Sequence, residues 1–165
     1  QEQSGWGSAV IQAFNEAEGE YITYMDGDGS YNPTGILDML KLINDYDFVC
    51  CSRYKYNNTS DDDTFIRAIG NKIFTFITRK LLQLDLTDSL FFYPLIRKKD
   101  YIKIQPKSTN FGICIEIPFL LSQQDLKYTD ILSLERERFA GKTKVNAFVD
   151  GVKILFELIK MYLKK

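Results

Sequence analysis

Two carboxylates one residue apart, Asp26 and Asp28, close a short aromatic and apolar run at residues 20–25. The run is bounded by Gly19 and Gly27, and its β-forming residues predict a strand over 21–25 that is buried on both faces. In an open parallel sheet, ligands collect in the crevice beyond the carboxyl ends of the strands. Asp26 and Asp28 fall at such an end. Two hard oxygen ligands there suit a magnesium or manganese ion that also holds a diphosphate. The same Asp-Gly-Asp-Gly string is also what a plain turn demands. A calcium loop of the EF-hand type is excluded, because Tyr31 stands where its glycine belongs and Leu37 where its closing glutamate belongs.

Three other places carry chemistry. Residues 135–144 crowd Arg136, Arg138, Lys142 and Lys144 around Gly141. Arginine forks and a lysine point charge on such a segment can close over a diphosphate, although a solvated loop has the same composition. Asp88 lies among apolar neighbours, so it must be paired, hydrogen-bonded, metal-associated or used as a cap. The acidic triple Asp61-Asp62-Asp63 reads as a solvated loop tip that caps the following helix.

Composition removes several classes of function. There is no histidine, which excludes histidine catalysis and histidine-ligated zinc and leaves carboxylates as the acid–base groups. The formal net charge of -1 gives no general affinity for nucleic acid. The three cysteines, Cys50, Cys51 and Cys114, match no disulfide or zinc spacing. They read as buried reduced thiols in a cytoplasmic protein. No apolar run reaches the roughly 18 residues of a spanning helix. The chain opens on Gln1 in what reads as the middle of a unit, which predicts a fragment lacking its N-terminal part.

The elements that must position these residues alternate. A helix is predicted over 9–18, ending at Gly19. A second starts at Asn32-Pro33 and runs to about residue 44. A buried strand covers 47–51. Strand, helix and strand with short links predict a βαβ unit in a parallel sheet. A long helix is predicted over 65–82, another over 110–123, and a strand over 128–134. Residues 145–165 form a basic amphipathic helix whose stripe of Val149, Val152, Leu155, Phe156, Ile159, Tyr162 and Leu163 fits packing, a partner subunit or an anionic membrane surface. Gly5-Trp6-Gly7 is no dinucleotide fingerprint, since Val10 replaces its third glycine.

In this order the segments resemble glycosyltransferase family 2, the inverting GT-A enzymes, and within it the dolichol-phosphate mannosyltransferase-like branch. The resemblance runs from Gly5 to about Lys144. Met25-Asp26-Gly27-Asp28 matches the family's Asp-x-Asp motif, Ser52-Arg53-Tyr54 its Gly-Ser-Arg-Tyr segment, and Arg138-x-x-Gly141-x-Thr143-Lys144 its Arg-x-x-Gly-x-Ser-Lys loop. Asp88 falls where the family carries an aspartate after its long helix.

The resemblance implies an α/β fold of the GT-A type, a mostly parallel sheet flanked by helices with its N-terminal strands missing. The catalytic domain would span 1–145 and the basic amphipathic helix 146–165. It implies transfer of a sugar from a nucleotide-diphosphate sugar to a polyprenyl-phosphate or glycan acceptor. Asp26 and Asp28 would hold Mg2+ or Mn2+, while Arg53, Arg138 and Lys144 would meet donor or acceptor phosphate. Asp88 would orient or deprotonate the acceptor, or position the metal site. It further implies a peripheral place on the inner face of a membrane, in the cell envelope, with homo-oligomers allowed. The chain departs from the family where Phe91-Phe92-Tyr93-Pro94 replaces Ser-Gly-Phe-Arg, on the acceptor side. Without opening strands to grip the base, donor binding would be weak. Two rivals stay open: a degenerate, non-catalytic domain of the same fold, and a nucleotidyltransferase.

Overall fold

The computed structural model describes residues 4–140 and 146–165. Its sheet has four strands, β1 (Tyr21–Thr23), β2 (Phe48–Ser52), β3 (Pro94–Arg97) and β4 (Tyr128–Leu132), in the spatial order β1-β3-β2-β4. β2 and β4 pair in parallel, with Phe48 opposite Tyr128 and Ser52 opposite Leu132. β3 runs antiparallel to both its neighbours, placing Ile96 between Ile22 and Phe48. Thus β1, β2 and β4 point one way, as the sequence pattern predicts, but β1 and β2 are not adjacent. The reversed strand β3 is inserted between them, and the sheet is mixed.

Strand β2 shows why its sequence lacks a polar side. Phe48 and Cys50 pack into one core, while Val49 and Cys51 pack into the other. Successive side chains of a strand point to opposite faces, so a strand covered on both sides must be apolar throughout. The first core is built by α1 (Trp6–Glu16), α3 (Phe65–Leu82), α5 (Ile113–Ser122) and α6 (Ala147–Leu163). The second is covered by α2 (Thr34–Leu42) through Met39 and Ile43. A short helix, α4 (Lys98–Tyr101), follows β3 directly. All three cysteines are buried free thiols.

The helix starts follow local chemistry. Asn32 accepts hydrogen bonds at Oδ1 from the Thr34 N–H and hydroxyl ahead of α2, and Pro33 already has helical angles. Thr64 caps α3 by accepting from the Arg67 N–H. The acidic triple before it therefore does not serve as the cap. At the other end of the chain, Asn146 accepts from the N–H groups of Phe148 and Val149 and starts α6. That helix is seated in the main core by Ile154, Leu158 and Met161. The stripe singled out by periodicity faces outward, because the packed side of α6 is the narrower Ile154–Leu158–Met161 row.

The start of α1 is held by close backbone approach. Gly7 donates its N–H to the Thr109 carbonyl at 3.0 Å. A Cβ at Gly7 would lie 2.2 Å from the Ser108 carbonyl oxygen and 2.7 Å from that of Asn110. We expect Gly7→Ala to destabilise the protein by about 1–3 kcal/mol, a fall of roughly 3–10 °C in melting temperature. Gly70, inside α3 with nothing within 4 Å of its added Cβ, is the control. Gly70→Ala should hold or raise stability, by up to about 1 kcal/mol from helix propensity. Thermal melts of the two variants check both expectations.

Candidate active site

The carboxyl end of β1 leads into a tight turn. Gly29 takes φ +82°, where a side chain would be strained. Asp28 Oδ1 accepts from the Ser30 N–H at 3.0 Å and the Ser30 hydroxyl at 2.8 Å. The turn is then clamped by the loop that follows β4. Arg136 N–H donates to the Ser30 carbonyl at 2.9 Å, and Phe139 N–H to the Asp28 carbonyl at 2.8 Å. Between these two bonds Arg138 is carried to the acid couplet, its Nη1 3.6 Å from Asp28 Oδ2. Two segments 110 residues apart in the chain thus meet through backbone pairing (Asp28 and Arg138).

Asp26 is held from the other side. Tyr24 donates its hydroxyl to Asp26 Oδ1 at 2.5 Å, and Trp6 Nε1–H donates to the Tyr24 oxygen at 2.9 Å. The Trp6 ring stacks on Phe111 and meets Tyr24 and Phe92 edge-on. Burial raises the Asp26 carboxyl above its ordinary pKa. The Tyr24 hydroxyl and the Arg138 charge pull it down, while the charges of Asp28 and Asp62 push it up. Arg138 itself forks onto Asp62, with Nε 2.9 Å from Oδ1 and Nη2 on Oδ2. That bond lowers the Asp62 pKa and raises that of Arg138.

A second cluster lies deeper. Arg53 follows β2 and is buried, with Nε 2.7 Å from Asp88 Oδ2 and Nη2 3.1 Å from Oδ1. The Arg53 backbone N–H also reaches Asp88 Oδ2 at 3.2 Å. Nη1 turns to Glu135 at 3.3 Å and to Asp63 at 3.6 Å. The guanidinium stacks over Phe91 and Tyr54. Asp63 also accepts from the Tyr54 hydroxyl and, at 3.1 Å, from Asn71. Burial raises the Glu135 carboxyl, with Arg53 and the Ser60 hydroxyl opposing. Asp62 and Asp63 are therefore partners of arginines, and the solvated tip expected of this acidic triple is not found for these two residues. A buried charge must be paired, and Arg53 supplies what sequence alone could not place.

These groups border one cavity of about 340 Å³. Asp26, Arg53 and Arg138 line it together, with Asp62, Asp63 and Glu135. Asp28 stands just behind Arg138, and Asp88 stands behind Arg53; neither lines the cavity. The apolar wall includes Trp6, Phe74, Phe91, Phe92 and Phe111. The altered segment Phe91–Pro94 is thus part of the cavity wall through its two phenylalanines. Lys144 lies outside the described residues. The sequence reading missed Trp6, Tyr24, Asp62, Asp63 and Glu135. The only signal for Glu135 was its place beside the cationic loop.

No cluster of three or more metal-type ligands is present among the described residues. The donor chemistry nevertheless fits a divalent cation. Five carboxylates but only three guanidiniums line the cavity (Asp26, Asp62, Asp63, Glu135 and Asp150 against Arg53, Arg67 and Arg138). Asp26 engages Tyr24 through Oδ1, and its carboxyl is raised first by burial and then by the charges of Asp28 and Asp62. Hard carboxylate oxygens of this kind suit Mg2+ or Mn2+.

A mixed α/β sheet with an acidic turn at a strand end and a cationic loop clamped over it defines a domain of the GT-A type. The chain belongs to glycosyl transferase family 2, whose family model matches residues 1–105. It is similar to the glycosyltransferase AglJ of Haloferax volcanii, at 27% identity over 97% of this chain and 54% of that protein. Its fold is similar to glucosyl-3-phosphoglycerate synthase from Mycobacterium tuberculosis bound to Mn2+, uridine diphosphate and glucosyl-3-phosphoglycerate, with a TM-score of 0.70 at 10% identity. That match covers 96% of this chain and 55% of the other. The same enzyme with Mg2+ and uridine diphosphate gives a TM-score of 0.64 at 12% identity, over 96% and 55%. The chain spans about half the length of these relatives.

Arg53→Ala leaves Asp88 buried and uncompensated. We expect it to cost about 3–5 kcal/mol of stability, read as a lower urea midpoint. Adding Asp88→Ala should recover part of that loss, because the stranded charge is then gone. Strictly additive losses would show that the pair is not coupled.

Proposed function

We propose that this chain carries the transfer site of an inverting glycosyltransferase, which moves a sugar from a nucleotide-diphosphate sugar to a polyprenyl-phosphate or glycan acceptor. One observation supports this most: Arg138 is clamped by backbone bonds onto the Asp28 turn, while Asp26 and Arg138 border a single cavity. The Mn2+ and Mg2+ complexes of the mycobacterial synthase contain uridine diphosphate, and this supports a donor of the same chemical type here.

Asp26 and Asp28 would hold the divalent ion, with Tyr24 and Ser30 fixing one oxygen of each. Bound there, the ion supplies Lewis-acid stabilisation of the departing diphosphate. Arg138 would exchange Asp62 for the diphosphate oxygens and offset charge that grows as the sugar leaves. Lys144 would add a second cation from the same loop. Arg53 would meet acceptor phosphate through Nη1 in exchange for Glu135 and Asp63, while Asp88 keeps its Nε and Nη2 and so acts as a positioning residue. A phosphate acceptor is already an anion and needs no base. The aromatic wall of Trp6, Phe91, Phe92 and Phe111 suits the flat faces of a sugar or a prenyl chain. A lipid acceptor would place the protein peripherally on the inner face of a membrane. Among the described residues no helix is long and apolar enough to cross one.

The test is calorimetric titration with nucleoside diphosphates, with and without Mn2+, together with turnover of the natural protein. Asp28→Asn should abolish Mn2+-dependent binding, and Arg138→Ala should slow transfer about 10²–10³-fold with folding retained. Unchanged turnover in Asp28→Asn would remove the metal role.

A pH dependence follows from Asp26. Its folded pKa is raised, so its contribution to stability is present at low pH and is lost as pH rises through that pKa. A metal must bind the ionised form and displaces the proton. The rise in melting temperature that added Mn2+ brings should therefore shrink as pH falls from neutrality into the range where the raised Asp26 carboxyl takes up its proton. An increment that does not change over the whole pH titration would count against Asp26 as a ligand.

A further inference from the structure

The packed faces of α3 and α6 wall the cavity, but their outer faces are unusual. Twenty large apolar side chains are exposed among the described residues, and thirteen lie on these two helices. On α3 the exposed residues are Phe65, Ile66, Ile69, Ile73 and Phe76. With 3.6 residues per turn, Lys72, Arg79 and Lys80 fall on the same outer arc. On α6 the arc of Phe148, Val152, Phe156, Ile159 and Leu163 is bordered by Lys153, Lys160 and Lys164. The helices touch through Phe74, whose ring lies 3.6 Å from the Cβ position of Gly151.

Charge is sharply divided between this pair and the rest of the chain. Residues 65–82 carry four cations and no acid, and residues 147–165 carry four lysines against Asp150 and Glu157. That is six net positive charges in a chain whose total is -1, so everything else carries -7. Asp150 is drawn back to Lys153 and the start of α6, and Glu157 reaches Lys160 and Ser108. Lys72, Arg79 and Lys80 also border a concavity of about 600 Å³ beside Phe76, whose one carboxylate, Asp85, pairs with Arg79 at 2.5 Å and would be exchanged for lipid phosphate.

We infer that the outer face of α3 and α6 is a docking surface for an anionic lipid bilayer, with lipid phosphate entering the Lys72–Arg79–Lys80 concavity. Apolar side chains enter the interface while lysines and arginines meet the headgroups, which is how interfacial amphipathic helices bind. A protein partner would need acidic and apolar surface in matching register along both helices; an anionic bilayer supplies both without register. This deepens the lipid-acceptor reading and rests on it for its purpose, because the inner faces of the same helices wall the acceptor cavity.

The test is vesicle flotation of the full chain without donor or metal, using phosphatidylcholine alone or mixed with phosphatidylglycerol. The expected result is binding to the mixed vesicles only, weakened by salt. Lys72→Gln with Lys80→Gln should lower binding roughly twenty-five-fold, at about fivefold per charge. Phe76→Ser with Phe156→Ser should lower it about tenfold, since each removes apolar area. All four side chains are exposed, Lys72 with its ammonium over the Tyr54 ring, so the melts should change little. Equal binding to neutral vesicles, binding to neither, or a dimer that Phe76→Ser and Phe156→Ser dissociate would each overturn the proposal. Vesicle binding that survives alongside absent nucleotide binding would defeat the transfer reading and leave this one standing.

Discussion

A guanidinium buried among carboxylates ties this molecule together at the working end of its sheet. Arg53 leaves β2 and reaches Asp88 ahead of β3, Glu135 after β4 and Asp63 ahead of α3. Three connections, those between β2 and α3, between α3 and β3, and after β4, converge on one side chain. Such a cluster is weak evidence for net stability, since desolvation of the ions offsets much of their attraction. Its value is geometric. Planar forked bonding admits few alternative arrangements, so the segments that wall the cavity are held in one register with the strands. The Phe91 ring beneath the guanidinium extends that order to the apolar wall.

The acidic turn after β1 is organised differently. Asp26 is fixed through a relay from Trp6 and Tyr24, and Asp28 through its own turn and Ser30. One carboxylate is therefore positioned by α1 and the other by local backbone. The clamp of residues 136–139 onto residues 28–30 adds the positive partner without using any side chain to set the distance. Backbone pairing of that kind tolerates change at Glu137 and Phe139 far better than a side-chain contact would, provided Gly29 keeps its left-handed angle.

The sequence made the acid couplet, the cationic loop and the helix at 65–82 legible because each rests on local pattern: alternating turn residues, a cluster of one charge, an unbroken 3.6-residue period. The outcome at β3 had no such signal. Pro-Leu-Ile-Arg is four residues long and begins with a residue that cannot donate to a ladder, yet it holds the centre of the sheet because Leu95 and Ile96 fill opposite cores. Periodicity likewise found the apolar stripe of α6 but could not tell inside from outside. On α3 the buried arc includes Thr75 and Thr78, polar residues that hydropathy assigns to water. The acidic triple at 61–63 was misread for a related reason. Charge runs are usually solvated; Asp62 is drawn inward by Arg138, 76 residues on, and by Arg67, while Asp63 meets Arg53, pairings that follow from the fold and not from charge pattern.

Separation of charge connects the two halves of this picture. The cavity is acidic and the outer faces of α3 and α6 are basic, so the field across these helices runs from one face to the other. An anion arriving from the basic side meets favourable potential outside and unfavourable potential within. A phosphate entering the cavity itself would be favoured once its carboxylates are neutralised by protons, by a divalent cation, or by redirected arginines. Protonation is inefficient near neutral pH for groups held by arginine, such as Asp62, whose pKa is lowered. On the proposed reading, a divalent ion held by Asp26 and Asp28 would offset two charges and free Arg138 from Asp28. Metal binding and phosphate binding would then favour one another, since each lowers the electrostatic cost of the other.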